Sequence, residues 1–348
     1  MKAVVFEEHG EVDKLQYKDI PDPKVGPNEV LFKIRAAGCN YNDIWARRGL
    51  PGMEIILPHV SGSDASGEVV EVGSEVKTVK PGDEVMVHPG ISCRICEVCT
   101  SGQEFFCRQY KIWGFQTGPL DGADAEYAKL DQTNLIPKPA NITYQEAATL
   151  PLILMTVWRM LVSRCRVQTG DYVLIWGGAG GLGSMAIQVC NLFGAKGIAV
   201  VGSDEKAEYA KNLGAHDTIN RKTQKIRDEV RRITSKRMVD IVFEHTGEET
   251  WKDSVLALKR GGSLVTCGAT SGFMGPTDIR HLWMKQMNFY GSHMGSKGEF
   301  LQAMKFVESG DIKPLPSQAV PLKDAAIAQK TIEDGDVMGK MVLIPDHA

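Results

Sequence analysis

No excess of positive charge runs through this chain. Lys+Arg 40 stand against Asp+Glu 43, a formal net charge of −3, so no global field exists to hold nucleic acid or an anionic membrane, and any anion site must be local. Long apolar runs are missing as well. The longest, around LPLILMTVW, is interrupted by Pro151 and Thr156 and ends at Arg159, well short of the ~20 residues a membrane span needs. The opening residues MKAVVFEEHG are too charged for the apolar core of a secretory leader, which points to a cytoplasmic protein. Cysteine is sparse. Eight in 348 residues cannot build a disulfide scaffold, and the clustering of four of them points to metal in a reducing compartment.

What is present is a globular composition, 43% hydrophobic and 24% charged with 36 glycines, in a chain long enough for two domains of roughly 150 residues. Two domains usually enclose a cleft. Residues 1–130 read as short strands, AVVF, EVLFKIRAAG, GEVVEVG, DEVMVH and AEYAKL, broken by PDPKVGPNE and VKPGDE, the pattern of an antiparallel β domain with barrel-like strand spacing. The texture changes near Pro137 to Pro139. DYVLIWGGAGGLGSMAIQVCNLFGAKGIAVVG then reads as strand, glycine turn, helix and strand, with Met185, Ala186 and Val189 on one helical face. Strands at VDIVFE and GSLVTCG alternate with helical patterns, as in a parallel sheet. The expected organisation is a β domain over 1–130 with a metal lobe at 90–110, a nucleotide domain over 131–275, and a return to the first domain over 276–348, including the helix in GEFLQAMKFVESG and the strand GKMVLI. The fold class is α/β.

Gly178, Gly180 and Gly183 form G-x-G-x-x-G between a strand and a helix, with Gly181 and Leu182 inside the motif. Lacking side chains, such a turn lets a pyrophosphate approach backbone N–H groups at the helix's positive end. The next strand decides which dinucleotide is favoured. An NAD site ends that strand on Asp or Glu to hold the ribose hydroxyls; here it ends Val201-Gly202, and Ser203, Lys206 and Arg221 offer a donor and two cations to a 2′-phosphate. NADPH is therefore expected. Cys93, Cys96, Cys99 and Cys107 have the spacing C-x2-C-x2-C-x7-C, which can wrap one tetrahedral Zn²⁺. Four thiolates leave no position for water or substrate, so this zinc is structural.

With these motifs quoted, the chain resembles the medium-chain dehydrogenase/reductase superfamily along its whole length, which implies a GroES-like β-barrel domain beside a Rossmann domain, with the active site between them. The zinc alcohol dehydrogenases of that superfamily carry a cysteine and a G-H-E histidine as ligands of a catalytic metal. At those positions AAGCNYND offers Asn40, with Cys39 one place off, and GSDASG offers Ser63. A catalytic zinc is not expected, because an amide and a hydroxyl do not replace thiolate and imidazole. Within the superfamily, NYNDIW, GSDASGEVV, IWGFQT, LIWGGAGGLGS, DIVFEHTGEETW and LWMKQMNFYGSH resemble crotonyl-CoA carboxylase/reductases and related acryloyl-CoA and enoyl-CoA reductases.

That resemblance implies reduction of a short 2-enoyl-CoA, with hydride delivered to the β-carbon and a proton to the α-carbon. In the carboxylating members CO2 is held by an asparagine, a Phe-Glu pair and a histidine; carried over, these are Asn42, Phe115, Gln116 and His293, with Tyr41 a further donor candidate. Gln116 departs from the pattern, and the neutral amide argues against efficient CO2 fixation. Arg47, Arg48, Lys285 and Lys297 are available cations for the phosphates of CoA, none of them assigned. The resemblance also implies a homodimer or homotetramer. Reductive carboxylation, quinone or enone reduction, and a non-enzymatic NADPH-binding role are the rival readings.

Overall fold

The strand Glu29–Gly38 alternates buried Val30, Phe32 and Ile34 with half-exposed Leu31, Lys33 and Arg35, the period-two pattern of a sheet with one face on a core. It is the hub of a seven-stranded sheet in the order Leu135–Pro137, Glu84–Val87, Asp64–Val72, Glu29–Gly38, Lys340–Ile344, Pro316–Pro321, with Tyr127–Asp131 also pairing to the hub. A three-stranded sheet, Gln16–Asp19, Lys2–Phe6 and His59–Val60, belongs to the same unit. Val30, Phe32, Ile34, Val85, Val87 and Trp113 fill the core. The computed structural model describes residues 1–347.

The chain divides into two compact units: Met1–Leu152 with Ser296–Gly298 and the chain from Pro314 on, and Ile153–Gly295 with Glu299–Lys313. These boundaries fall later than 130 and 275. Leu135–Pro137 extends the first unit because it pairs with Glu84–Val87, and Asn288–Gly291 extends the second because it pairs with Leu258–Thr266. The helix Lys297–Glu308, expected to return to the first domain, belongs from Glu299 onward to the second. It buries Phe300, Ala303, Met304 and Val307, sets Phe306 5.5 Å from Trp158, and pairs Glu299 with buried Arg159 at 3.1 Å.

In the second unit six parallel strands run in the order Asp217–Asn220, Lys196–Val201, Tyr172–Ile175, Val239–Glu244, Leu258–Thr266, Asn288–Gly291. All six residues of Val239–Glu244 are buried, as a central strand covered on both faces requires. The direction of strand succession reverses between Tyr172–Ile175 and Val239–Glu244, and open parallel sheets bind ligands at such a reversal, outside the carboxyl ends of the strands. Among the described residues no helix is long and apolar enough to cross a membrane.

Candidate functional site

At the carboxyl edge of the parallel sheet the three motif glycines do different work. A Cβ at Gly178 would lie 2.6 Å from the Cβ of Ala199, and one at Gly183 would lie 2.2 Å from the Gly177 carbonyl oxygen; both positions exist so that turn, helix and neighbouring strand can pack. Gly180 differs. A Cβ there would meet only Gly177 O at 3.5 Å, so the missing side chain leaves open room above the turn. Gly180 is also the N-cap of the helix Gly181–Leu192, whose first N–H groups include those of Gly181, Leu182 and Gly183. A room of this kind at a helix N-terminus fits a pyrophosphate.

Ser203 caps the helix Asp204–Asn212, its Oγ accepting the Lys206 N–H at 3.3 Å. Asp204 is the acid nearest the end of its strand, and its Oδ1 accepts from the Asn220 amide at 2.7 Å. That engagement turns the carboxylate toward the protein. Arg221 follows the strand Asp217–Asn220, its N–H bonded to Val201 O at 2.9 Å. Lys222, not singled out by the sequence, passes over Gly202: its Cε lies 3.9 Å from where a Cβ on Gly202 would sit. The signal was the doubled charge of Arg221-Lys222 right after a strand.

The four-cysteine lobe closes as its spacing requires. The Sγ atoms of Cys93, Cys96, Cys99 and Cys107 all lie within 4.8 Å of one another, with Cys93 to Cys107 and Cys96 to Cys99 at 3.5 Å and Cys93 to Cys99 at 3.8 Å. Zn–S bonds of ~2.3 Å put tetrahedral corners about 3.8 Å apart, so the set fits Zn²⁺. The Ile95 N–H and then that of Cys96 pull the Cys93 thiol down to about 6, while against the Cys99 N–H the Cys93 and Cys99 thiols push Cys96 up to about 12, so the proton is shared within the cluster until a metal displaces it. The lobe also holds something. Glu104, between the last two ligands, accepts the Lys297 backbone N–H at 2.6 Å, and Lys297 Nζ donates to Thr133 O at 2.5 Å, which fastens Ser296–Gly298 to this unit.

Where a zinc alcohol dehydrogenase would hold its catalytic metal, the first unit has a buried ion pair. The Lys340 ammonium contacts Asp64 Oδ2 and donates to Asn40 Oδ1 at 2.9 Å. Asn40 Nδ2 donates to Asp64 Oδ2 at 3.0 Å, and the Leu152 N–H to Asp64 Oδ1 at 2.8 Å. Ser63 is fully buried and its Oγ has no hydrogen-bond partner among the described residues. Burial, with Asp124 nearby, raises the Cys39 thiol well above its ordinary value and keeps it protonated. This donor set does not fit a catalytic zinc: the oxygens are neutral or already neutralised, and an ammonium occupies the cation's role. Lys340 was missed by the sequence reading. Its signal was a lysine inside the otherwise apolar final strand.

Tyr41 and Asn42 open the helix Tyr41–Arg48, fixed by Asp43, whose carboxylate accepts the Asn40 N–H at 2.7 Å and the Gly62 N–H at 3.2 Å. Tyr41 packs edge-on against Trp45 at 5.3 Å, and burial raises its phenol above the usual value. Asn42 is half-buried and its side chain makes no hydrogen bond among the described residues. Phe115 is buried, and Gln116 Oε1 accepts the Ile112 N–H at 3.0 Å, leaving its NH2 group for other work. His293 follows the last strand of the second unit, where burial first and then Arg159 lower its imidazole below the ordinary value. It is neutral at pH 7. Arg47 leaves the set of available cations: fully buried, it is held by Gln329, Gly10 O and Glu333.

The alcohol dehydrogenase GroES-like domain family matches residues 26–140, and the zinc-binding dehydrogenase family residues 181–309. Crotonyl-CoA carboxylase/reductase of Cereibacter sphaeroides is 35% identical over 353 residues, covering 92% of this chain and 81% of that protein. The chain is a medium-chain dehydrogenase/reductase. A solved NAD-dependent alcohol dehydrogenase superposes on this medium-chain dehydrogenase/reductase with a TM-score of 0.93 at 40% identity, over 99% of both chains. A crotonyl-CoA carboxylase/reductase, AntE, solved in complex with NADP, gives 0.90 at 32% identity over 99% of this chain and 94% of that one. Like other medium-chain dehydrogenase/reductases it is an oxidoreductase. The open turn at Gly180, at the N-terminus of Gly181–Leu192, fits a unit that binds a dinucleotide.

Proposed function

We propose that this chain reduces the C2=C3 double bond of a short 2-enoyl-CoA, such as crotonyl-CoA or acryloyl-CoA, with NADPH, and releases the saturated acyl-CoA without fixing CO2. The observation that carries this reading is the Asn40–Asp64–Lys340 cluster. The zinc route to alcohol oxidation needs a Lewis acid on the alcohol oxygen, whereas an alkene conjugated to a thioester is already electron-poor. Identity over the whole chain does not separate alcohol dehydrogenases from enoyl reductases; the donor set supports the enoyl reductase reading.

When bound, NADPH supplies the hydride that goes to the β-carbon. The chain's own residues orient the thioester, exclude water and hold protons. Tyr41, with its phenol kept protonated, and Asn42 present N–H and O–H donors that suit the thioester oxygen as it gains enolate character. His293, whose imidazole burial holds below its ordinary value, is the third polar residue carried over with them. Phe115, buried, is the apolar member of the same carried-over set. Gln116, its oxygen tied to Ile112, offers a neutral NH2 where the carboxylating relatives have a carboxylate, which supports protonation rather than carboxylation at the α-carbon. Ser203, Lys206, Arg221 and Lys222 support NADPH over NADH, since Asp204 is engaged by Asn220. A cytoplasmic homodimer or homotetramer is the assembly this reading carries, and no nucleic acid takes part.

The test is NADPH oxidation with C3 to C8 enoyl-CoA esters beside a simple quinone, with NADH in parallel. Turnover of crotonyl-CoA well above the quinone supports the reading; quinone as the better substrate contradicts it. Reductive carboxylation is the second reading, favoured by the named activity of the Cereibacter sphaeroides relative, and it predicts ethylmalonyl-CoA as the main product in bicarbonate.

A further inference from the structure

His245 follows the central strand Val239–Glu244 and lies against the turn that follows Tyr172–Ile175. Its Nε2 is 2.9 Å from the Trp176 carbonyl oxygen. A carbonyl only accepts, so Nε2 carries the hydrogen and Nδ1 is left as a bare lone pair. No second hydrogen bond engages this ring among the described residues. The ring is tightly held: a Cβ at Gly177, where φ is +59°, would meet Cε1 at 2.9 Å and Nε2 at 3.0 Å, and Phe243 stands edge-on to it at 6.0 Å. Part of its surface stays open.

These two strands flank the reversal in strand order, where a dinucleotide crosses the sheet edge. The pyrophosphate belongs over Gly180, and the adenosine half runs toward Ser203 and Lys222 on the side of Lys196–Val201 and Asp217–Asn220. The other half must then run toward Val239–Glu244. Glu244 cannot serve it. Its carboxylate is fully buried and already accepts from the N–H groups of Thr246 at 2.7 Å and Gly247 at 3.1 Å, and from the hydroxyls of Thr250 at 2.9 Å and Ser254 at 2.5 Å. We propose that His245 Nδ1 accepts a hydrogen bond from a hydroxyl of the nicotinamide-side ribose, so that the ring pressed against the glycine turn also fixes where the nicotinamide half lies. This rests on the NADPH reading above and adds a residue to it.

The experiment is fluorescence titration of the full chain, as wild type, His245→Leu and His245→Gln, with two ligands: NADPH, and 2′,5′-ADP, which lacks the nicotinamide-side ribose. His245→Leu is expected to weaken NADPH about 3- to 10-fold, the worth of one neutral hydrogen bond, and to leave 2′,5′-ADP within about 2-fold. His245→Gln keeps an N–H for Trp176 and an oxygen lone pair, and is expected to restore NADPH binding. A ring that only props up the turn predicts equal weakening of both ligands. That result overturns the assignment, as does His245→Gln binding as weakly as His245→Leu, or no change in either. Should His245→Leu not fold, nitrogen-15 NMR of histidine in the wild type decides: the bare Nδ1 resonance is expected to move upfield with NADPH and not with 2′,5′-ADP, and an unmoved resonance overturns the assignment. Wild type that binds no NADPH overturns the cofactor reading and this inference with it; failure with NADPH binding intact overturns only the role of His245.

Discussion

Replacing Lys340 with methionine keeps most of the side chain's length and removes its charge. Lys340 is 3% exposed and Asp64 0%, so the change leaves a carboxylate buried without its counter-ion. Breaking a buried pair from one side costs about 3–5 kcal/mol. Asp64 retains the Asn40 amide at 3.0 Å and the Leu152 N–H at 2.8 Å, which places the expected loss near ~3 kcal/mol. At about 2–4 °C per kcal/mol for a unit of this size, Tm should fall by roughly 6–12 °C. The double variant Asp64→Asn/Lys340→Met removes both charges and keeps an oxygen for Leu152, so it should recover most of the loss. Thermal and urea unfolding of the wild type, each single variant and the double give the coupling energy. A loss below about 1 kcal/mol in Lys340→Met, or no recovery in the double, refutes the reasoning that Lys340 neutralises a buried Asp64 carboxylate.

Three further outcomes follow from the same residues. Gln116→Glu keeps the acceptor for the Ile112 N–H and adds a charge, so the fold should persist while the carboxylated fraction of product rises; an unchanged fraction counts against this pocket. Cys99→Ser, or zinc chelation, should loosen 93–107 and, through Glu104 and Lys297, raise hydrogen exchange at 296–298, with turnover of the surviving protein less affected; normal protection at 296–298 contradicts the link. Burial pushes the Asp124 carboxyl up to about 7, above the ~3.9 of an unfolded aspartate. The folded state then holds the proton more tightly, so this group's contribution to stability is complete below pH ~4 and is lost as pH rises toward about 7. Asp124→Asn should therefore flatten the profile and gain a few kcal/mol near pH ~8, read by urea unfolding; an unaltered slope contradicts the buried, protonated carboxyl.

Features carried by local chemistry were legible in the sequence. The thiol spacing was sufficient because C-x2-C-x2-C-x7-C closes on itself within one lobe. The glycine motif was sufficient because strand, turn and helix are contiguous. What escaped were pairings made by distant segments. Lys340 meets Asp64 across 276 positions of sequence, and nothing near Lys340 announces an acid. The helix Lys297–Glu308 was misassigned because its apolar face states that it packs, not on what. His245 is similar: its sequence neighbours show a strand end, and only the tertiary fold brings Trp176 O to Nε2 and so frees Nδ1. The basic pair Arg221-Lys222 was half-read, since the reach of Lys222 over Gly202 depends on how two adjacent strands end.

The most direct measurement is product analysis by mass spectrometry after incubating the protein with crotonyl-CoA, NADPH and isotopically labelled bicarbonate. An unassisted, thioester-activated alkene that takes hydride and then a proton predicts butyryl-CoA carrying no label. Labelled ethylmalonyl-CoA as the main product, or untouched crotonyl-CoA beside brisk NADP-linked oxidation of a simple alcohol, contradicts it.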